Sequence, residues 1–186
     1  SPLNQEARLF RIGINTKKLD LSERNRANLV ILIDVSGSMS DRNKLELVKP
    51  ALTLLVNQLD PKDSVGIVTY ASNKEVLLPS TQVSKKDKIL KVINSLTAVG
   101  STAMGNGIEL AYKQAEESLA EYGDATSRVI IISDGDANVG ETSPEAILEL
   151  IGEQVKKGIY LTTLGFGQGN YRDDMMEKLA NKGNGN

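Results

Sequence analysis

Residues 29–39 read Leu-Val-Ile-Leu-Ile-Asp-Val-Ser-Gly-Ser-Met. Five apolar residues in succession, with no polar alternation, suit a strand buried on both faces, as in a parallel sheet covered by helices on each side. Three more short runs rich in Val and Ile follow at residues 65–70, 129–132 and 159–164. Segments of helical spacing separate them. Leu45, Val48, Leu52, Leu55 and Leu59 recur every three or four residues after the first run; Ile108, Ala111, Ala115 and Leu119 do so before the third; Ile147, Leu148 and Ile151 do so before the fourth. Strand alternating with helix predicts an open α/β sheet.

Capping chemistry sets some boundaries. Ser143-Pro144-Glu145 combines an N-cap hydroxyl, a proline at the first helical position and an acid in the first turn. Lys156, Lys157 and Gly158 then supply basic residues and a glycine stop. Pro50 falls inside the first helical pattern, where a missing N–H and a steric clash predict a kink or break costing roughly 3 kcal/mol. Glu75 to Leu78, ending at Pro79, predicts an edge strand, and Ser84 to Leu96 a further helix. A helix over Met104 to Tyr122 follows the loop Gly100-Ser101-Thr102. Residues 1–27 form a lead segment of different character, in which Phe10, Ile12 and Ile14 alternate with Arg11 and Gly13 as in a strand. The domain proper is expected over 28–186.

The composition excludes whole classes of function. The chain has 186 residues, enough for one domain that buries a sizeable core, and no His or Cys. Ser-His-Asp triads, cysteine nucleophiles, zinc fingers and disulfide scaffolds are therefore out of reach, and any metal must be held by oxygen. A net charge of −2 gives no electrostatic footprint for nucleic acid. No apolar run approaches the roughly 18 residues of a membrane span, and the first residues lack the charged and apolar regions of a signal peptide.

Chemistry concentrates where the buried runs end. Asp34, Ser36 and Ser38 stand two residues apart, so an extended backbone would project their oxygens from one side. The third run ends in Ser133-Asp134-Gly135-Asp136, placing a second carboxylate on the same carboxyl edge of the sheet, and Ser101-Thr102 should open there too. In an open parallel sheet, ligands bind at that edge where the strand order reverses. Two carboxylates and three hydroxyls without His or Cys make a hard-cation site. Mg²⁺ or Mn²⁺, taking six oxygens at roughly 2.1 Å and keeping some waters, suits it better than Ca²⁺, which recruits more direct ligands. With hydroxyls bound directly, the ion would stay electrophilic toward an incoming carboxylate.

Competing motifs fit less well. Asp134-x-Asp136-x-Asn138 followed by Glu145 imitates an EF-hand loop, but Val139 stands where glycine is needed and a strand precedes it. Gly165-Phe166-Gly167-Gln168-Gly169-Asn170 follows the last strand and lacks the final glycine of a dinucleotide fingerprint, so it reads as a turn. Gly100 to Gly105 lacks the lysine of a P-loop, and the run Lys85, Lys86, Lys88 reads as a solvated helix face.

Asp34-x-Ser36-x-Ser38, then Thr102, then Asp134 resembles the metal-ion-dependent adhesion site of von Willebrand factor type A domains, over Asn28 to Asn186. The stretches Asn28 to Met39, Ile131 to Gly140 and Gly165 to Asn186 also resemble a bacterial subgroup of cell-envelope lipoproteins likened to calcium-activated chloride channels. The resemblance implies a doubly wound sheet with one antiparallel edge strand. It implies direct coordination of a divalent ion by Ser36, Ser38 and Thr102, with Asp34 and Asp134 acting mainly through water. It implies metal-dependent binding of a protein that offers Asp or Glu, rather than catalysis. Type A domains continue into a sixth strand and a final helix, and this chain is expected to stop before both. The run 159–164 would then be an edge on which a second copy could pair. Two other functions are consistent with the same residues: a hydrolase or phosphoryl-transfer domain using the ion as Lewis acid, with Asp136 as a candidate base, or an assembly subunit whose site is purely structural.

Overall fold

The computed structural model describes residues 24–100, 104–123, 125–135, 143–167 and 173–186. The expected strand at Phe10 to Ile14 lies outside them.

The first buried run becomes strand β1 (Arg26–Asp34). It is followed by helix α1 (Leu45–Gln58), strand β2 (Ser64–Tyr70), strand β3 (Lys74–Gln82) and helix α2 (Lys86–Ser95). Helix α3 (Met104–Tyr122), strand β4 (Ala125–Ser133), helix α4 (Pro144–Lys156), strand β5 (Ile159–Gly165) and helix α5 (Asp173–Lys182) complete the chain. The sheet runs β3-β2-β1-β4-β5, with every pair parallel except β2–β3. This is a doubly wound, mostly parallel sheet with one antiparallel edge.

β1 is central, and its apolar run serves two cores at once. Val30 and Leu32 face the layer of α3, α4 and α5, packing with Tyr70, Ile108, Ile131 and Ile151. Ile31 and Ile33 face α1 and α2, packing with Val48, Leu52, Ile67 and Ile89. A strand loaded on both faces has no room for polar alternation, and the unbroken apolar sequence follows from that.

Chain direction sets the site's position. From β1 the chain crosses to β2 on one side, and from β3 it returns past β1 to β4 on the other. The strand order therefore reverses between β2 and β4, and β1 ends its carboxyl edge in the resulting crevice.

Four details refine the sequence reading. Helix α1 runs unbroken through Pro50, whose missing bond falls near the first turn; Thr53 donates to the Lys49 carbonyl at 2.9 Å one turn on. Strand β3 does not stop at Pro79 but continues to Gln82, with a register shift opposite Gly66 that takes up the residue unable to donate. Helix α5, which apolar periodicity did not reveal, packs Met176 and Leu179 into the core. The edge of β5 is not bare: Leu161 N–H donates to the Gly183 carbonyl at 3.0 Å and Thr163 N–H to the Asn186 carbonyl at 2.8 Å. The expected pairing of a second copy on that edge meets the chain's own residues 183–186 there. By contrast α4 begins as read, with the Ser143 hydroxyl accepting from Ala146 N–H at 3.2 Å, and the chain leaves it at Gly158 with φ of +81°.

Candidate metal centre

Asp34 closes β1 in register with Tyr70, the last residue of β2, while Ser133 closes β4 beside it. That alignment of strand ends gathers the polar groups. The fully buried Asp34 carboxylate is fixed through both oxygens. Oδ1 accepts from Ser36 N–H at 2.8 Å; Oδ2 accepts from the Tyr70 hydroxyl at 3.2 Å and the Ser133 hydroxyl at 3.3 Å. Ser133 Oγ in turn accepts from Gly135 N–H at 3.2 Å, which ties the Asp134 loop to the same point.

Burial raises the Asp34 pKa above the ordinary carboxylate value, and the Asp134 charge adds to the rise against the hydrogen bonds of Ser36 and Tyr70. A cation between the two acids would relieve both penalties. The Tyr70 phenol is held well above its usual pKa by burial and by the Asp34 charge, so it stays a neutral donor.

After Asp34 the chain does not remain extended. Ser36 is in extended conformation, but Gly37–Ser40 forms a 3₁₀ turn. The hydroxyls of Ser36 and Ser38 meet at 2.9 Å through this turn rather than through a strand's pleat. Six oxygens at about 2.1 Å around one ion place neighbouring oxygens roughly 3.0 Å apart, so two hydroxyls at this spacing fit one edge of that octahedron. The donor set thus suits Mg²⁺ or Mn²⁺. Among the described residues no three acidic, His or Cys side chains cluster in a way suited to a metal.

Thr102 and Asp136 lie outside the described residues. The residue at the threshold of the Thr102 loop is placed: Gly37 N–H donates to the Gly100 carbonyl at 2.8 Å, and Val99 N–H to the Val35 carbonyl at 2.7 Å. Gly100 has φ of +97°, and a Cβ there would come within 2.6 Å of Ser72 Oγ, so glycine suits the close approach of these two connecting segments. On the far side of the loop α3 packs Gly107 against Tyr70, where an added Cβ would stand 2.9 Å from Tyr70 Cβ.

Three neighbours of the site escaped the sequence reading. Tyr70 was visible only as the last residue of an apolar run and Ser133 only as the residue before Asp134, and lining up the strand ends would have found them. Lys44, next to the start of α1, carried no motif. Its ammonium lies 2.9 Å from Asp134 Oδ2 and donates to the Ser38 carbonyl at 3.0 Å.

A sequence model of the von Willebrand factor type A domain matches residues 28–186. YfbK of Escherichia coli K12 is 40% identical over all 186 residues, which make up 32% of that protein. The chain thus spans about a third of the length of this relative. The crystal structure of BatB from Bacteroides thetaiotaomicron superposes with a TM-score of 0.70 at 22% identity, covering 86% of this chain and 87% of that one. Manganese-loaded TRAP protein of Plasmodium vivax superposes with a TM-score of 0.68 at 25% identity, over 84% of this chain and 63% of that one. No described helix is long and apolar enough to cross a membrane.

Proposed function

Because this chain belongs to the von Willebrand factor type A family, we propose that it is a non-enzymatic binding module whose divalent cation is completed by an Asp or Glu side chain of a protein partner. One observation carries the reading: the hydroxyls of Ser36 and Ser38, 2.9 Å apart, stand beside two carboxylates at the reversal point of the sheet. Ser36, Ser38 and Thr102 would hold the ion directly, and Asp34 and Asp134 would supply charge through water. Asp34 is suited to that indirect role, since both its oxygens already accept hydrogen bonds from the protein. The ion would be Mg²⁺ or Mn²⁺, with Ca²⁺ as a looser substitute, and when bound it would act as a Lewis acid toward a carboxylate oxygen. A structural neighbour loaded with manganese supports this choice of ion.

The chain's own residues prepare the site for capture rather than turnover. Tyr70 and Ser133 fix the inner carboxylate, and Lys44 engages the outer one, so neither acid among the described residues is poised as a general base. The bacterial cell envelope is the location that goes with this reading, through the family subgroup the sequence resembles.

An array of peptides differing only in Asp, Glu, Asn or Gln, probed with the labelled domain in Mg²⁺ or in excess EDTA, tests the proposal. Binding confined to the acidic peptides and to the metal-containing buffer is expected. Equal binding in EDTA would overturn it.

A further inference from the structure

Lys44 brings a positive charge into a site built for a cation. Its ammonium touches Asp134 Oδ2 at 2.9 Å and the Ser38 carbonyl at 3.0 Å, with the Asp41 carboxylate 3.9 Å away. It is no wandering surface lysine: its side chain is 19% exposed and that of Asp134 3%. The stem is seated against Gly167, whose φ is +122° and where a Cβ would stand 3.2 Å from Lys44 Cε. The backbone leading into α1 thus delivers the ammonium from one side, and the glycine after β5 leaves room for it from the other.

The charge sum gives this placement a consequence. Asp34 and Asp134 together carry two negative charges, which a divalent ion alone would cancel. Lys44 adds a positive charge to that centre, and the Asp41 carboxylate 3.9 Å from its ammonium, 71% exposed to solvent and so screened, offsets it only in part. We propose that Lys44 trades metal affinity for carboxylate capture: it weakens the hold on the divalent ion and makes the loaded site more positive toward an acidic partner. The inference rests on the metal-site reading above and assigns a residue that the family motif does not contain. The ammonium repels the incoming ion at short range, and the same field, acting outward, attracts a carboxylate. Its bond to the Ser38 carbonyl also steadies the turn that presents the Ser38 hydroxyl.

The opposite signs of the two effects separate this role from plain structural support. Lys44→Gln keeps an N–H donor toward Asp134 and Ser38 while removing the charge, Lys44→Met removes both, and Lys44→Arg keeps the charge. Calorimetric titration with Mn²⁺ reads metal affinity. Acetate added to the Mn²⁺-loaded protein reads carboxylate capture, through the fall in water-proton relaxation as coordinated water is displaced. Urea unfolding in EDTA checks that each variant folds. For Lys44→Gln, Mn²⁺ affinity should rise at least fivefold while acetate affinity falls at least threefold, and Lys44→Arg should stay near wild type on both. Loss of both affinities in Lys44→Gln, or no change in either, overturns the role of Lys44 alone. Wild-type protein that takes up no Mn²⁺ overturns the metal site itself, and this inference with it.

Discussion

Replacing Asp34 by Asn separates what the site does for metal from what it does for the fold. The substitution removes one charge and nearly nothing else. Asn can keep the bond from Ser36 N–H, now made at 2.8 Å, and the Tyr70 and Ser133 hydroxyls, at 3.2 and 3.3 Å, can each turn to accept from the amide nitrogen. Burial holds the Asp34 pKa above its ordinary value, and an acid so shifted costs the folded state stability once the pH exceeds that pKa. Loss of the charge should therefore leave the metal-free protein within about 1 kcal/mol of wild type, or more stable. Metal binding responds differently. A divalent ion and a carboxylate linked through one water, roughly 4.5 Å apart, attract by roughly 2 kcal/mol at the dielectric of water and about 7 kcal/mol at an effective dielectric of 20. Even the lower figure weakens binding by about twentyfold. Mn²⁺ calorimetry alongside urea unfolding in EDTA measures both quantities. A variant that binds Mn²⁺ within threefold of wild type, or that loses more than about 2 kcal/mol without metal, refutes the reasoning. The second result would make the carboxylate a structural element only.

Two further predictions concern parts of the fold remote from the candidate metal site. Asn28 accepts from the hydroxyls of Ser64, Ser80 and Ser118 and donates to Ser127 and to the Ala115 carbonyl; Asn28→Ala should destabilise by about 3 kcal/mol, because the Ser64 and Ser127 hydroxyls lose their buried partner. Thermal unfolding should show a midpoint lower by roughly 6–12 °C for a chain of this size, with Mn²⁺ affinity unchanged because the network lies six residues down β1, about 20 Å from Asp34. Asp63 is buried, which alone would raise its pKa, but bonds from the Arg24 guanidinium and from the Ala27 and Asp60 N–H groups, with the Arg24 charge, hold it below the ordinary value. Its stabilisation is thus complete above the unfolded-state pKa of roughly 3.9 and lost as the pH falls through the lower folded one; Asp63→Asn should lower stability at neutral pH by about 3 kcal/mol and flatten the acid limb of a urea-midpoint profile.

Much of this architecture is legible in the chain because its strongest signals are local. The unbroken Leu29–Ile33 run, the Ser143-Pro144 cap and the 3/4 spacing of α1 each depend on neighbours within a few residues, and each recurs in the fold. Long-range facts were hidden. Tyr70 reaches Asp34 only because β2 pairs with β1 in a register that sets their last residues side by side. Lys44 reaches Asp134 across 90 residues of sequence, and no local pattern announces it. Helix α5 was overlooked because few apolar side chains mark it, with Met176, Leu179 and Ala180 its buried ones. The Asp34-x-Ser36-x-Ser38 spacing presumes an extended backbone, whereas a 3₁₀ turn brings the Ser36 and Ser38 hydroxyls together.

Helix α3 is fastened to the sheet at two levels. Near its start Gly107 lies against the ring whose hydroxyl ends on Asp34, and near its far end Ser118 is tied to Asn28. A rod pinned at both heights cannot slide or turn without breaking one of its fastenings. The distance from the inner carboxylate to the first turn of α3 is thereby gauged by the sheet itself, and a methyl group added at Gly107 would be enough to put that gauge out of true.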